Sequence, residues 1–247
     1  MTRTWPPPDP RRTRAIHRRL RRQQGPFRPK PRLAILDELV ATVLSQHTSD
    51  RGTERAFGRL KASFPSWEQA LDAPVGDVAD AIRPGGLAGQ KAPRIQRILA
   101  AVEAREGSLD LSRLHELDDA GVEAYLTALP GVGPKTASCV LVFSMGRAAF
   151  PIDTHVRRVA ARLGWLPPGA TAEQAHRLLG PRVPADIRYE LHLALVTHGR
   201  TVCRAARPRC GDCPLRDLCP TGARERRPRE APREAPREVL PTGRGRR

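Results

Sequence analysis

Three observations predict an all-α protein. Apolar residues recur with a helical period in stretch after stretch, no segment alternates apolar and polar residues as a half-buried strand would, and helical and strand-like segments never take turns as a parallel α/β sheet would need.

Residues 1–12 are rich in Pro and Arg and are expected to form a disordered basic arm. An arginine-dense helix is expected from about Thr13 to Gln24, after which Pro26, Pro29 and Pro31 break the chain. Leu36, Leu39, Val40, Val43 and Leu44 place one apolar helical face within residues 33–45. The same spacing recurs in Ile95, Ile98, Leu99 and Val102, then in Val122, Tyr125, Leu126 and Leu129. An apolar helix follows from about Thr136 to Ser144, and Val156, Val159, Ala160 and Leu163 define the next. Thr171 and Gln174 form a capping-box pattern with Gly180 where the helix should end. Ile187, Leu191, Ala194 and Leu195 supply the last periodic stretch. Residues 221–247, an RPRE-APRE-APRE tract, have nothing to bury and are expected to stay disordered.

Charge is spread unevenly. The net charge is +17, of which residues 1–32 carry +10 and residues 221–247 carry +5, so the 188 residues between them are close to balance. Two basic arms imply a polyanionic partner, with nucleic acid ahead of an anionic membrane. No apolar run approaches the roughly 20 residues that cross a bilayer, and the N-terminus lacks the apolar stretch of a secretory signal. The expectation is an intracellular protein. Heavy use of Arg, Ala and Pro suggests a GC-rich bacterial genome and hence a cytoplasmic, nucleoid-associated location.

Four cysteines follow the pattern Cys203-x6-Cys210-x2-Cys213-x5-Cys219, within seventeen residues that also hold Pro208, Gly211 and Pro214. So short a loop cannot build an apolar core, and a metal centre is the natural organiser. Zinc sites usually set two close Cys pairs apart; here only Cys210 and Cys213 are close, and four thiolates suit a [4Fe–4S] cluster. Two disulfides would need an oxidising compartment. Cys139, in an apolar stretch, is read as a small buried hydrophobe.

The segment Leu129-Pro130-Gly131-Val132-Gly133-Pro134-Lys135-Thr136 joins two helical stretches. Its glycines permit a tight turn that bares backbone N–H groups at a helix N-terminus, while Val132 can pack inward, an arrangement that grips phosphate. A plain interhelical turn is the alternative. Lys135 opens the second helix. Of 43 cationic side chains only Lys30, Lys61, Lys91 and Lys135 are lysine. Arginine would pair with phosphate equally well, but it cannot lose its proton and attack carbon. Lys135 is therefore a candidate nucleophile, its neutral form favoured by the helix end and neighbouring cations. Eighteen residues later, Asp153 in Pro151-Ile152-Asp153-Thr154-His155-Val156 precedes a periodic helix. It can cap that helix and still offer a carboxylate to an oxocarbenium-like transition state at a sugar carbon.

Together, LPGVGPKTA, IDTHV and HGRTVCRAARPRCGDCPLRDLC closely resemble the endonuclease III family of helix–hairpin–helix DNA glycosylases, over roughly residues 30–220. The resemblance implies a two-lobed all-α fold: a six-helix barrel lobe over residues 30–147, and an iron–sulfur cluster lobe built from residues 13–29 and 148–220. Double-stranded DNA with a damaged base or abasic site would lie between the lobes of a monomer and send a flipped nucleotide into the cleft. Lys135 would displace the base and form a Schiff base, and Asp153 would assist base release and proton transfer. Cys203, Cys210, Cys213 and Cys219 would hold a mainly structural [4Fe–4S] cluster, aiming Arg204, Arg207 and Arg209 at phosphate. Gly131, Val132 and Gly133 would contact the backbone, and Leu87 resembles the residue that wedges into the base stack. One loop departs from the family pattern. Where the family commonly reads Leu-Ser-Ala-Gln-Ala-Thr-Asp, this chain reads Leu44-Ser45-Gln46-His47-Thr48-Ser49-Asp50, so His47, beside Gln46, stands at the gap-filling position. Asp50 would cap the next helix. The basic arms are the second departure, and they should raise non-specific affinity and its salt dependence. The rival readings are a mismatch-type glycosylase that uses water in place of lysine, and a non-catalytic damage-binding protein.

Overall fold

In the computed structural model, which describes residues 8–29 and 31–224, the described residues form helices and connecting turns with no strand. The outermost parts of the expected arms, residues 1–7 and 225–247, lie outside the described residues. Helix α1 (Pro10–Gln24) starts earlier than the Thr13 expected from its pattern, because Asp9 accepts from the Arg11 amide at 2.9 Å and Pro10 takes the first helical position. Residues 10–12 thus belong to a helix and not to a disordered arm. Likewise Pro220–Arg224 is a short helix, so the expected disordered tail does not begin at residue 221.

Helices α2 (Ile35–Leu44), α3 (Asp50–Ser63), α4 (Trp67–Asp72), α5 (Val75–Ala81), α6 (Ala88–Glu106), α7 (Asp119–Thr127) and α8 (Pro134–Cys139) surround one core. Leu39, Val43, Leu60, Ile95, Leu99, Leu126 and Val140 are fully buried there. The expected helix over 136–144 changes pitch: Val140–Ser144 is a π-helical turn in which the Met145 amide reaches the Val140 carbonyl at 3.1 Å.

The second core is discontinuous in sequence. Helices α9 (Thr154–Arg162), α10 (Ala172–Leu179), α11 (Arg188–Thr201) and α12 (Pro220–Arg224) follow the barrel, and α1 returns to pack on α11. Ile16 and Leu20 of α1 are fully buried against Val156, Leu191 and Leu195, each worth about 2 kcal/mol of burial. Exposed Arg14–Asp186 and Arg19–Asp217 pairs add little energy, but they fix how α1 sits. Between α9 and α11 the backbones come very close. A β-carbon at Gly199 would stand 2.9 Å from that of His155. The two lobes are tied by Arg200 of α11, whose Nη1 lies 2.9 Å from Asp50 Oδ2 at the start of α3. Asp50 is consequently not the cap of α3; Ser49 is, through its hydroxyl and the Gly52 amide at 3.1 Å. No helix among the described residues is long and apolar enough to cross a membrane.

Candidate active site and cluster loop

The hairpin before α8 is built as its glycines require. Gly131 adopts φ 73, a left-handed value that favours glycine, and Val132 turns inward, 6% exposed. Gly133 has an extended φ of −110 and caps α8 with its backbone. A β-carbon there would meet nothing within 4 Å, so this face of the hairpin is open to an approaching ligand. Pro134 takes the first position of α8 and Lys135 the second, half-buried.

Asp153 caps α9, accepting from the Val156 amide at 2.7 Å. Two imidazoles, His192 buried and His176 half-buried, hold its loop from behind. His192 Nδ1 donates to the Pro151 carbonyl at 2.8 Å, and His176 Nε2 lies 3.2 Å from the Ile152 carbonyl oxygen. Burial pushes both histidines below their ordinary range, His192 to about 4. The charges of Lys135 and Asp153 both bear on the buried Cys139 thiol and on the His192 ring. Burial raises the Cys139 thiol, and the Lys135 ammonium beside it draws it back down.

Glu38 joins this cluster from α2. Its carboxyl is pushed up to about 7 by burial, while the bond from Thr42 Oγ1 at 3.2 Å and the Lys135 ammonium oppose the rise. A carboxyl raised on folding keeps a proton that the unfolded chain gives up near 4.5, so its stabilising contribution is full below that value and is lost as pH rises through about 7. Glu38→Gln removes this loss. In urea unfolding at about pH 5 and about pH 8, wild type should lose on the order of 2–3 kcal/mol more than the variant. Equal losses would show that the carboxyl is not held protonated. No sequence pattern marks Glu38, His176 or His192; the two histidines bond carbonyls 24 and 41 residues away.

The two loops expected to meet the base stack lie side by side. Gln46 is turned toward α6, its Oε1 accepting from Arg94 Nη1 at 2.8 Å, whereas His47 is exposed. Leu87 is 48% exposed.

In the cluster lobe, Cys203, Cys210, Cys213 and Cys219 line one cavity together with His198, Leu215 and Arg162. None is disulfide-bonded. No three acidic, His or Cys side chains among the described residues gather tightly enough to hold a single metal ion. Four free thiols around one cavity are a donor set that suits a multi-iron cluster. Arg162 Nη1 donates to Cys203 Sγ at 3.2 Å, and buried His198 places Nε2 3.6 Å from Cys213 Sγ, so nitrogen groups already lie against two of the sulfurs. Of the three arginines expected to face phosphate, Arg204 and Arg207 are exposed, while exposed Arg209 is paired with Asp212 at 3.0 Å.

Comparison with known proteins agrees with this architecture. Residues 40–185 match the profile of the HhH-GPD superfamily base excision DNA repair proteins. The chain is 39% identical over 192 residues to a candidate DNA glycosylase of Arabidopsis thaliana, covering 74% of this chain and 65% of that protein's length. It is 33% identical over 187 residues to endonuclease III of Sulfolobus acidocaldarius, covering 75% of this chain and 81% of that one. Among solved structures, an endonuclease III trapped as a covalent intermediate with DNA superposes with a TM-score of 0.74 at 27% identity, covering 89% of this chain and 99% of that one.

Proposed function

Because the chain belongs to the endonuclease III family, within the HhH-GPD superfamily of base excision DNA repair glycosylases, we propose that it removes damaged pyrimidines from duplex DNA and then cleaves the resulting abasic site. The observation that supports this reading is the placement of its two candidate groups at helix starts: Lys135 at the second position of α8, behind a hairpin whose Gly133 face is open, and Asp153 at the N-cap of α9.

The hairpin amides of residues 131–133 bind a phosphate beside the flipped nucleotide, and the lysine amine attacks C1′ of the deoxyribose. The glycosidic C–N bond breaks with its electron pair leaving on the base, which takes up a proton. Asp153 stabilises the cationic sugar carbon in the transition state. Opening of the sugar ring gives an imine between Nζ and C1′. Loss of a C2′ proton then expels the 3′ phosphate by β-elimination, and water releases the lysine. The two neutral histidines fix the Asp153 loop without adding a competing positive charge.

Cys203, Cys210, Cys213 and Cys219 would hold a [4Fe–4S] cluster, which supplies cross-links to a loop that has no core of its own. Its loop presents Arg204 and Arg207 to the DNA backbone.

Borohydride trapping on duplexes carrying thymine glycol or an abasic site tests the proposal. A covalent adduct on both is expected. An adduct on the abasic duplex alone would leave a lyase whose base substrate differs from oxidised pyrimidine. No adduct on either, from folded protein, would replace this reading with water-mediated base release or non-catalytic damage binding.

A further inference from the structure

Three of the four lysines in this arginine-rich chain are described. Lys135 belongs to the active site, and Lys61 pairs with Asp37 at 3.4 Å and stacks over Trp67. Lys91 remains. It is 4% exposed, and its Nζ donates to the Leu44 carbonyl at 2.7 Å, Thr48 Oγ1 at 2.7 Å and the Gly85 carbonyl at 2.8 Å. All three donors of the ammonium are used, and its acceptors are neutral oxygens. The planar fork of arginine could not converge on three oxygens arranged around one point. Two of these acceptors end helical turns, α2 and the 3-10 turn Arg83–Gly85, where the backbone presents its negative pole.

The acceptors come from two different loops. Leu44 and Thr48 bracket residues 45–47, and Gly85 stands two residues before Leu87. Thr48 Oγ1 also bonds the Gly85 carbonyl, so hydroxyl and ammonium together staple one loop to the other. A separate observation falls on the same loops. Among the described residues, His47 at φ 53 and Leu87 at φ 51 are the only non-glycine residues with positive φ. A left-handed conformation is costly for a bulky side chain and persists only where the surroundings impose it. Both side chains are exposed, so the strained backbone is anchored while each tip projects outward. Three residues further along α6, Arg94 holds Gln46 and lies against Gly131 of the hairpin.

We propose that Lys91 is a positioning residue that locks residues 45–48 and 85–87 into one rigid unit, presenting His47 and Leu87 together to the two strands of a duplex. This deepens the glycosylase reading above and rests on it. Extruding a paired base needs both tips in register, because the wedge opens the stack only as the gap is filled. An abasic site has no base to unstack and depends less on that register.

The test compares Lys91→Met with wild type in two measurements. Amide exchange within residues 45–48 and 85–88 should accelerate in both segments together. Single-turnover base release should fall about 100-fold, as for a misplacement near 1 Å, with a clearly smaller fall in cutting of a preformed abasic duplex. Exchange that changes in neither loop or in only one, or equal losses in the two reactions, would overturn the proposal. So would full activity of Lys91→Arg, which would reduce the role to charge alone. Thr48→Val, which keeps the shape but removes the shared hydroxyl, should show the same asymmetry to a smaller degree even if Lys91→Met does not fold; its absence would count equally against the proposal. Wild-type protein inert on both duplexes would defeat the glycosylase reading, while the exchange result would still decide whether Lys91 couples the loops.

Discussion

Lys135→Gln should reduce strand cutting and borohydride trapping by roughly 10⁴-fold or more while leaving duplex affinity near that of wild type. The substitution keeps a polar side chain of similar length at the second position of α8 but removes the only group there that can attack C1′. The hairpin amides at residues 131–133 are untouched, so phosphate binding survives. Fluorescence anisotropy on an abasic-analogue duplex and gel assays of cutting separate the two effects. A variant that still cuts at the wild-type rate would remove Lys135 from the mechanism. A variant that loses binding and cutting together would make the lysine a phosphate ligand, the role that arginine could have filled.

Cys213→Ala should abolish the brown visible absorbance of an iron–sulfur protein and unfold the loop from Cys203 to Cys219. Within that segment only Leu215 is buried, so the loop has almost no apolar core to fall back on. Structural metal centres in such loops contribute folding energy outright, and the loss here should be on the order of 5 kcal/mol, comparable with the stability of a small domain. The damage should spread to α1, because Arg19 donates to the Pro214 carbonyl at 3.1 Å and pairs with Asp217. Iron content, thermal melting and limited proteolysis between residues 203 and 219 would check this. Wild-type melting in the variant, or wild-type protein without iron, would contradict the cluster.

The helices legible in the sequence are those with a broad buried stripe. Ile95, Ile98, Leu99 and Val102 of α6, and Val156, Val159 and Ala160 of α9, are all buried where their spacing put them. Helices α3, α4 and α5 gave no such signal. Only Ala56 and Leu60 are buried in α3, which also carries Gly52 and Gly58, and α4 and α5 span six and seven residues. Start points went wrong where capping decided them, as at Asp9 and Ser49. In the candidate site, Lys135 and Asp153 stand out in the sequence because one opens a helix and the other caps one, each behind a turn. Glu38, His176 and His192 do not, since a single buried polar residue has no period. Its meaning lies in a carbonyl or ammonium that only the fold brings near. Lys91 lies between these cases. Its rarity as a lysine was visible, but its three acceptors were not.

The second core also sets an order of events during synthesis. Helix α1 is made before α9 and α11, so Ile16 and Leu20 have nothing to bury against until those helices exist, and Arg19 reaches residues 214 and 217. At ordinary translation rates of about 5–20 residues per second, α1 waits roughly 10–40 s outside the ribosome. The barrel, continuous in sequence, can close during that time. A helix bearing this many arginines and two unburied aliphatic residues is meanwhile a nascent segment open to polyanions and chaperones alike. Nascent chains stopped before residue 188 should therefore hold a folded barrel and an unpaired α1.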